Sequence, residues 1–194
     1  MIPVWGTPGK FWAMQYLGQT GDGDNAEIKF NTDRDWNGNE FGFDATINAE
    51  STADITVSDS GGNIGIDSPG WYIVVVTTTI EGRAYEYAVD FHPPYVQLQG
   101  ETAGGNWDTG EEYRFSVPEL SLGADAPFIS PAFTNTGEIR TSIKLPGHEW
   151  WHTEFLVFDG VFVPRGTGDD QDRIVGNAGQ KLHINFTTRS GKIE

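Results

Sequence analysis

The chain is 194 residues long, 37% hydrophobic and 13% aromatic, enough apolar material for one large or two small packed domains and too much for global disorder. Twelve Lys and Arg against 28 Asp and Glu leave a net charge of -16, a field that repels nucleic-acid phosphates and anionic headgroups and leaves neutral or cationic ligands as partners. Cysteine is absent, which excludes disulfides, thiolate nucleophiles and cysteine-ligated zinc or iron–sulfur centres.

Twenty-five glycines and ten prolines punctuate the chain, and no apolar period of 3.6 residues is sustained over a helical length, so strands dominate. No apolar run reaches the ~18 residues of a membrane-spanning helix, and Met1–Lys10 lacks the apolar centre of a signal peptide. Along residues 33–44, Asp33, Asp35, Asn37 and Gly38 stand at the first, third, fifth and sixth positions of a calcium loop, with Asp44 at the twelfth. Glu40 at the usually apolar eighth position and the lack of flanking helices favour a plainer reading as a polar turn, with calcium as the rival. Residues 71–80 are rich in β-branched side chains and read as a mostly buried strand; Glu81-Gly82 turns it into an alternating partner over 83–89. Two prolines in the stretch 92–95 interrupt strand pairing and predict a boundary, giving modules over 1–92 and 93–194.

Beyond that boundary, strands are expected over 95–99, 113–117, 139–145 and 181–187. Asp159-Gly160 predicts a tight hairpin between 155–158 and 161–164, with Pro164 at a strand end. Just ahead of it stand Trp150 and Trp151. Read as extended backbone, the pair sends one indole inward and the other to solvent, with Glu149 and Arg165 as a polar rim. His148 and His152 would make a zinc pair on a helix, which the following strand pattern argues against.

Internal similarity supports two modules. Residues 9–17 lie over 137–145 at an offset of 128, 27–30 over 154–157 at 127, and 69–79 over 178–188 at 109, so the first module carries an extra 18 residues. The counterpart of 95–118 would precede Met1, from which module one is expected to lack its N-terminal strand or strands.

The stretches EIKFNTDRDWNGNEFG (27–42), GGNIGIDSPGWYIVVV (61–76) and, less closely, YVQLQGETAGGNWD (95–108) resemble the modules of the SusE/SusF family. The resemblance implies an all-β chain of two tandem immunoglobulin-like, carbohydrate-binding-module-like β-sandwiches. It further implies a non-catalytic lipoprotein, exposed on the cell outer membrane of Bacteroidetes, that binds starch or another polysaccharide or oligosaccharide beside an outer-membrane importer complex.

A sugar presents a face of C–H groups to an aromatic ring and hydroxyls to donors and acceptors around it. The resemblance places Lys29 and Trp36 in such positions, with Asn37 and Asn39 in the same loop; in module two its lysine position is Leu156, which leaves Trp107, Trp150, Trp151 and Arg165 as the ligand-binding candidates. Each of these tryptophans is also open to a core or interdomain role. Two other functions stay open: a calcium-stabilised adhesion or scaffold module using Asp33, Asp35, Asn37 and Asp44, and an accessory domain of a glycoside hydrolase. No nucleophile elbow or phosphate-binding glycine loop is present, and no carboxylate pair is marked by the sequence.

Overall fold

A computed structural model describes residues 1–18, 26–33, 35–107 and 110–194. The chain forms two compact units: Met1 with Gly9–Pro93, and Ile2–Pro8 with Pro94–Glu194. A two-residue strand, β1 (Ile2–Pro3), opens the chain. Unit one then holds β2 (Lys10–Leu17), β3 (Ala26–Ile28), β4 (Phe30–Asn31), β5 (Glu40–Phe41), β6 (Thr46–Ile47), β7 (Val57–Ser60), β8 (Asn63–Ile66), β9 (Gly70–Glu81) and β10 (Ala84–His92). Unit two holds β11 (Val96–Gln99), β12 (Phe128–Ile129), β13 (Gly137–Glu138), β14 (Arg140–Ile143), β15 (Phe155–Phe158), β16 (Val161–Pro164), β17 (Val175–Gly176), β18 (Leu182–Asn185) and β19 (Ser190–Ile193). The only helical turns among the described residues are three-residue 3-10 turns, as expected of an all-β chain.

In unit one β2, β9, β10 and β6 run side by side, and β3, β8 and β7 form a second sheet. The β-branched run of β9 is buried from Trp71 to Val76, because a central strand of a sandwich is covered on both faces. Tyr72, Val74 and Val76 enter a cluster with Leu17, Ala26, Phe41, Ile64, Ile66, Val89 and Phe91, which ties the two sheets together. On the other face Val75 lies opposite Trp12 and Ile73 opposite Met14 of β2. Each such aliphatic or aromatic side chain contributes about 1.5–3 kcal/mol on leaving water. Glu81 pairs with Ala84, so the turn is Gly82-Arg83, one residue later than the sequence predicts; Gly82 takes a φ of 64°, which a residue without Cβ adopts at little cost.

Unit two is built around β12, β18, β19, β16 and β15, with β11 and β14 paired alongside. The bridge between Ser142 and Glu154 links the two. Phe128, Phe155, Phe162 and Phe186 interlock at centroid distances of 4.9–5.7 Å. Asp159 and Gly160 have φ of 50° and 82°, the double positive φ that a two-residue hairpin requires, and Pro164 closes β16. The strand expected over 113–117 is not continuous. A 3-10 turn occupies Glu111–Tyr113, followed by single bridges at Arg114 and Ser116.

The strands β4 and β5 pair Phe30 with Phe41 and Asn31 with Glu40, as β15 and β16 pair Val157 with Phe162 and Phe158 with Val161. The two hairpins share the 127-residue offset at their first strands. Their loops differ: eight residues, Thr32–Asn39, in unit one and two in unit two.

Candidate functional site

In unit two, β11 ends at Gly100, whose φ of 78° turns the chain away from the strand. Glu101–Ala103 forms a 3-10 turn, Gly104 and Gly105 also have positive φ, and the loop returns so that Gly100 N donates to Asn106 O at 2.8 Å. The next residue, Trp107, lays its indole against the bare Gly100: a Cβ there would stand 3.3 Å from the ring and 3.8 Å from Arg140. Glycine at 100 thus provides both the turn and the space for the ring. Asp108 and Thr109 lie outside the described residues.

Trp150 and Trp151 are not extended. They occupy a 3-10 turn, Trp150–His152, launched after Gly147 with its φ of 72° and tied down by Thr153 Oγ1 donating to Ile143 O at 2.7 Å. The in–out alternation expected of a strand therefore does not apply. Both indoles are half-buried and perpendicular, 5.8 Å apart. Trp107 and Trp150 lie 5.3 Å apart and inclined by 36°, making a shallow V of two aromatic faces; Trp107 remains 49% exposed. Glu149 does not join the rim. Its carbonyl accepts from His152 N, and the side chain is exposed. His148 and His152 meet without a helix, Nδ1 to Nδ1 at 3.3 Å, and among the described residues no group of three or more His, Asp or Glu is arranged to hold a metal ion.

Beneath the indoles lies an ionic layer of which the sequence reading named only Arg165. Arg140 contacts Glu154 and Glu138 at 2.6 Å and Asp170 at 3.1 Å. Arg165 reaches the second oxygen of Glu154 at 3.2 Å, and Arg173 reaches Glu138 at 3.4 Å. Burial works against the Arg140 charge, but the hydrogen bond it donates to Glu154 and the fields of Glu154, Glu138 and Asp170 outweigh it and raise its pKa. Arg165 is also held from the far end of the chain: its guanidinium lies 5.4 Å from the Trp5 ring, while Trp5 stacks on His152 at 5.6 Å and donates through Nε1 to Gly168 O at 3.1 Å. Trp107, Trp150, Trp151, Arg165, Arg140, Glu138, Asp170 and Arg173 together line a cleft of about 590 Å³. The signal for Arg140 was present in GEIRTSIKL, a charge inside an otherwise strand-like pattern; Asp170 and Arg173 sit in a polar stretch with no such mark.

In unit one Trp36 is 70% exposed, and Lys29, Asn37 and Asn39 are exposed as well. Asn37 and Asn39 donate to Asp33 Oδ2 at 2.9 and 3.1 Å, and Asp35 N donates to Oδ1 at 3.2 Å. The two amide donations, aided by the backbone, hold the Asp33 carboxyl below its ordinary pKa. Asp44 accepts from Gly42 N at 2.7 Å. Asp33, Asp35 and Asp44 therefore do not converge as a cluster of acidic ligands; the loop closes on its own amides. Asn39 lines a second cleft, of about 500 Å³, to which Lys29, Trp36 and Asn37 do not contribute. Leu156 is buried, as a residue of the phenylalanine-rich core would be.

Among the described residues no helix is long and apolar enough to cross a membrane. The profile of the SusF/SusE starch-specific carbohydrate-binding modules matches residues 1–88 and 95–192. The outer membrane protein SusF of Bacteroides thetaiotaomicron is 37% identical over 199 aligned positions, which take in 100% of this chain and 38% of that protein. The crystal structure of SusF from the same organism superposes with a TM-score of 0.85, covering 100% of this chain and 42% of that one. The chain thus spans about two fifths of the length of the relative it matches. With both stretches matched, together nearly the whole length, the chain belongs to the SusF/SusE family of carbohydrate-binding modules.

Proposed function

We propose that the cleft of unit two binds a neutral glucan of the starch type, by stacking pyranose faces on Trp107 and Trp150 while Arg165, Arg140 and Asp170 engage the hydroxyls. The observation that carries this reading is the inclined Trp107–Trp150 pair, 5.3 Å apart, set above guanidinium and carboxylate groups in one cleft. Aromatic faces bind the C–H side of a sugar, and a few fixed polar groups orient it. Glu138, Glu154 and Asp170 balance the three arginines in charge, which suits a neutral ligand.

In unit one, exposed Trp36 with Lys29, Asn37 and Asn39 offers a looser second contact to the same polymer. By its likeness to an outer membrane protein, the chain works at the outer surface of a bacterial cell, where it holds polysaccharide for an importer complex. Affinity electrophoresis in gels containing soluble starch tests the reading. The parent is retarded, Trp107→Ala and Trp150→Ala migrate faster, and retardation is the same at low and high salt. Equal retardation of the parent and both variants overturns the assignment.

A further inference from the structure

The chain has four histidines, and two of them meet in unit two. His148 N donates to Leu145 O at 3.2 Å, Gly147 turns the chain with a φ of 72°, and the 3-10 turn brings His152 back so that its N donates to Glu149 O at 3.0 Å. Trp5 holds His152 twice: its N donates to His152 O at 2.9 Å, and its indole stacks on the imidazole at 5.6 Å. The Trp151 ring stands perpendicular to the same imidazole at 5.5 Å. His152 is therefore fixed before any ligand arrives, and both histidines are only half-buried, so solvent reaches them.

The two Nδ1 atoms are 3.3 Å apart, and the ring centres are 5.5 Å apart with the planes at 70°. A tetrahedral cation held by two imidazole nitrogens at about 2.0–2.1 Å sets those nitrogens about 3.3–3.4 Å apart, and rings aimed at it have centres about 5.2 Å apart. A small swivel of the rings converts the observed arrangement into that one. As neutral rings the pair holds at most one hydrogen between its Nδ1 atoms, since two N–H groups there would oppose each other. When that hydrogen passes to Nε2 of its own ring, both Nδ1 lone pairs are free with no net loss of a proton, and a cation takes the hydrogen's place between them.

We infer that His148 and His152 form a binding site for a divalent transition cation of the zinc or copper kind, with water in the remaining positions. Imidazole nitrogens suit these ions, whereas calcium and magnesium take oxygen ligands. No third His, Asp or Glu is arranged with the pair among the described residues, so the ion has two protein ligands and stays exchangeable, unlike one in a closed structural centre. The net charge of -16 draws cations toward the surface. The site spans the segment that presents Trp150 and Trp151, and it stands whether or not those indoles bind sugar.

Titration of the whole chain, carrying no added histidine tag, tests the inference. Calorimetry with zinc chloride gives saturable binding of a single equivalent, and copper chloride quenches indole emission saturably, because Trp5 and Trp151 adjoin His152; calcium and magnesium do neither. His148→Gln and His152→Gln each weaken zinc binding about tenfold or more, while His183→Gln binds like the parent. Urea midpoints separate loss of a ligand from loss of the fold, and the His148→Gln arm decides if His152→Gln loosens the turn. Absence of heat and quenching in the parent leaves a hydrogen-bonded histidine pair only and overturns the site. So does unchanged zinc affinity in folded His148→Gln, or an equal loss in His183→Gln, which marks scattered surface binding.

Discussion

The hairpins β4–β5 and β15–β16 pair their strands in the same register, yet only the first builds a cleft. In unit one Thr32, Gly38 and Asn39 of the longer loop face the end of β10, while Asp159-Gly160 in unit two closes the hairpin and nothing more. Unit two instead makes its cleft from the glycine loop before Trp107, the 3-10 turn of Trp150 and the segment 165–173. Electrostatics diverge with the loops. One cleft has arginines interleaved with Glu138, Glu154 and Asp170; the other has Glu40, Asp44 and Glu86, with no Lys or Arg among its described lining residues. A conserved pairing scheme holds the scaffold, and loop length decides where and what it binds.

The largest effect that sharpens this contrast is on stability. Glu154 is fully buried against Arg140 and Arg165, and leaving a buried charge half-neutralised costs about 3–5 kcal/mol. Arg140→Met therefore shifts the urea midpoint of unit two strongly. In unit one Lys10→Met disrupts only a pair whose carboxylate is 70% exposed, a change of about 0–1 kcal/mol. Equal shifts for the two variants would show that the buried ionic layer does not distinguish the units.

Next in size is ligand affinity: Trp107→Ala and Trp150→Ala each weaken starch binding about tenfold or more, read as lost gel retardation, with little change in unfolding midpoint for the exposed Trp107. Smaller is a pH effect confined to unit one. His92 is buried, with Nδ1 2.9 Å from Thr52 Oγ1. Burial lowers its pKa from 6.5 against the raising effect of Asp90, Lys10 adds to the lowering, and Glu50 opposes it. Above the ordinary value both the folded and unfolded forms are neutral. Below it the unfolded chain takes up a proton that the folded one refuses, so stability falls with pH at no more than about 1.4 kcal/mol per unit. Urea midpoints between neutral and mildly acid pH should show this decline, and His92→Gln should remove its contribution. The smallest effect concerns calcium, which leaves the melting temperature unchanged because Asp33 is already occupied by Asn37 and Asn39. A rise with calcium that Asp35→Ala abolishes would restore the metal-loop reading.

Elements whose cause is local were legible before the structure. The β-branched run of β9 and the Asp-Gly turn after β15 each carry their own reason in adjacent residues, and the structure places them within a residue of expectation. The Trp107, Trp150, Trp151 and Arg165 group was legible as chemistry but not as geometry. Trp150 and Trp151 precede a strand, which suggested extended backbone, whereas Gly147 and the hydrogen bond from Thr153 to Ile143 curl them into a turn. Arg140 and Asp170 escaped because their partners are 14 and 30 residues apart in sequence, a separation no periodicity reports. Tyr85 and Tyr87, which line the cleft of unit one, escaped for another reason. Alternation on β10 assigns them to one face, but only the long loop that brings Phe41 against Tyr87 makes that face the wall of a cleft.

Trp5 has a further implication, for the order in which unit two assembles. Its indole reaches Gly168 across 163 positions of chain, and Ile2–Pro8 packs with Pro94–Glu194. During synthesis this segment emerges well ahead of the rest of unit two and finds its seat only after the bed of His152 and Arg165 has been made. The entropic penalty of so long a closure grows only logarithmically, about 0.6 kcal/mol per doubling, so delay and not cost is the issue. A polypeptide begun at Pro94 would keep its sheets but leave the far side of Arg165 unclasped, and the guanidinium that reaches toward the sugar would lose its brace.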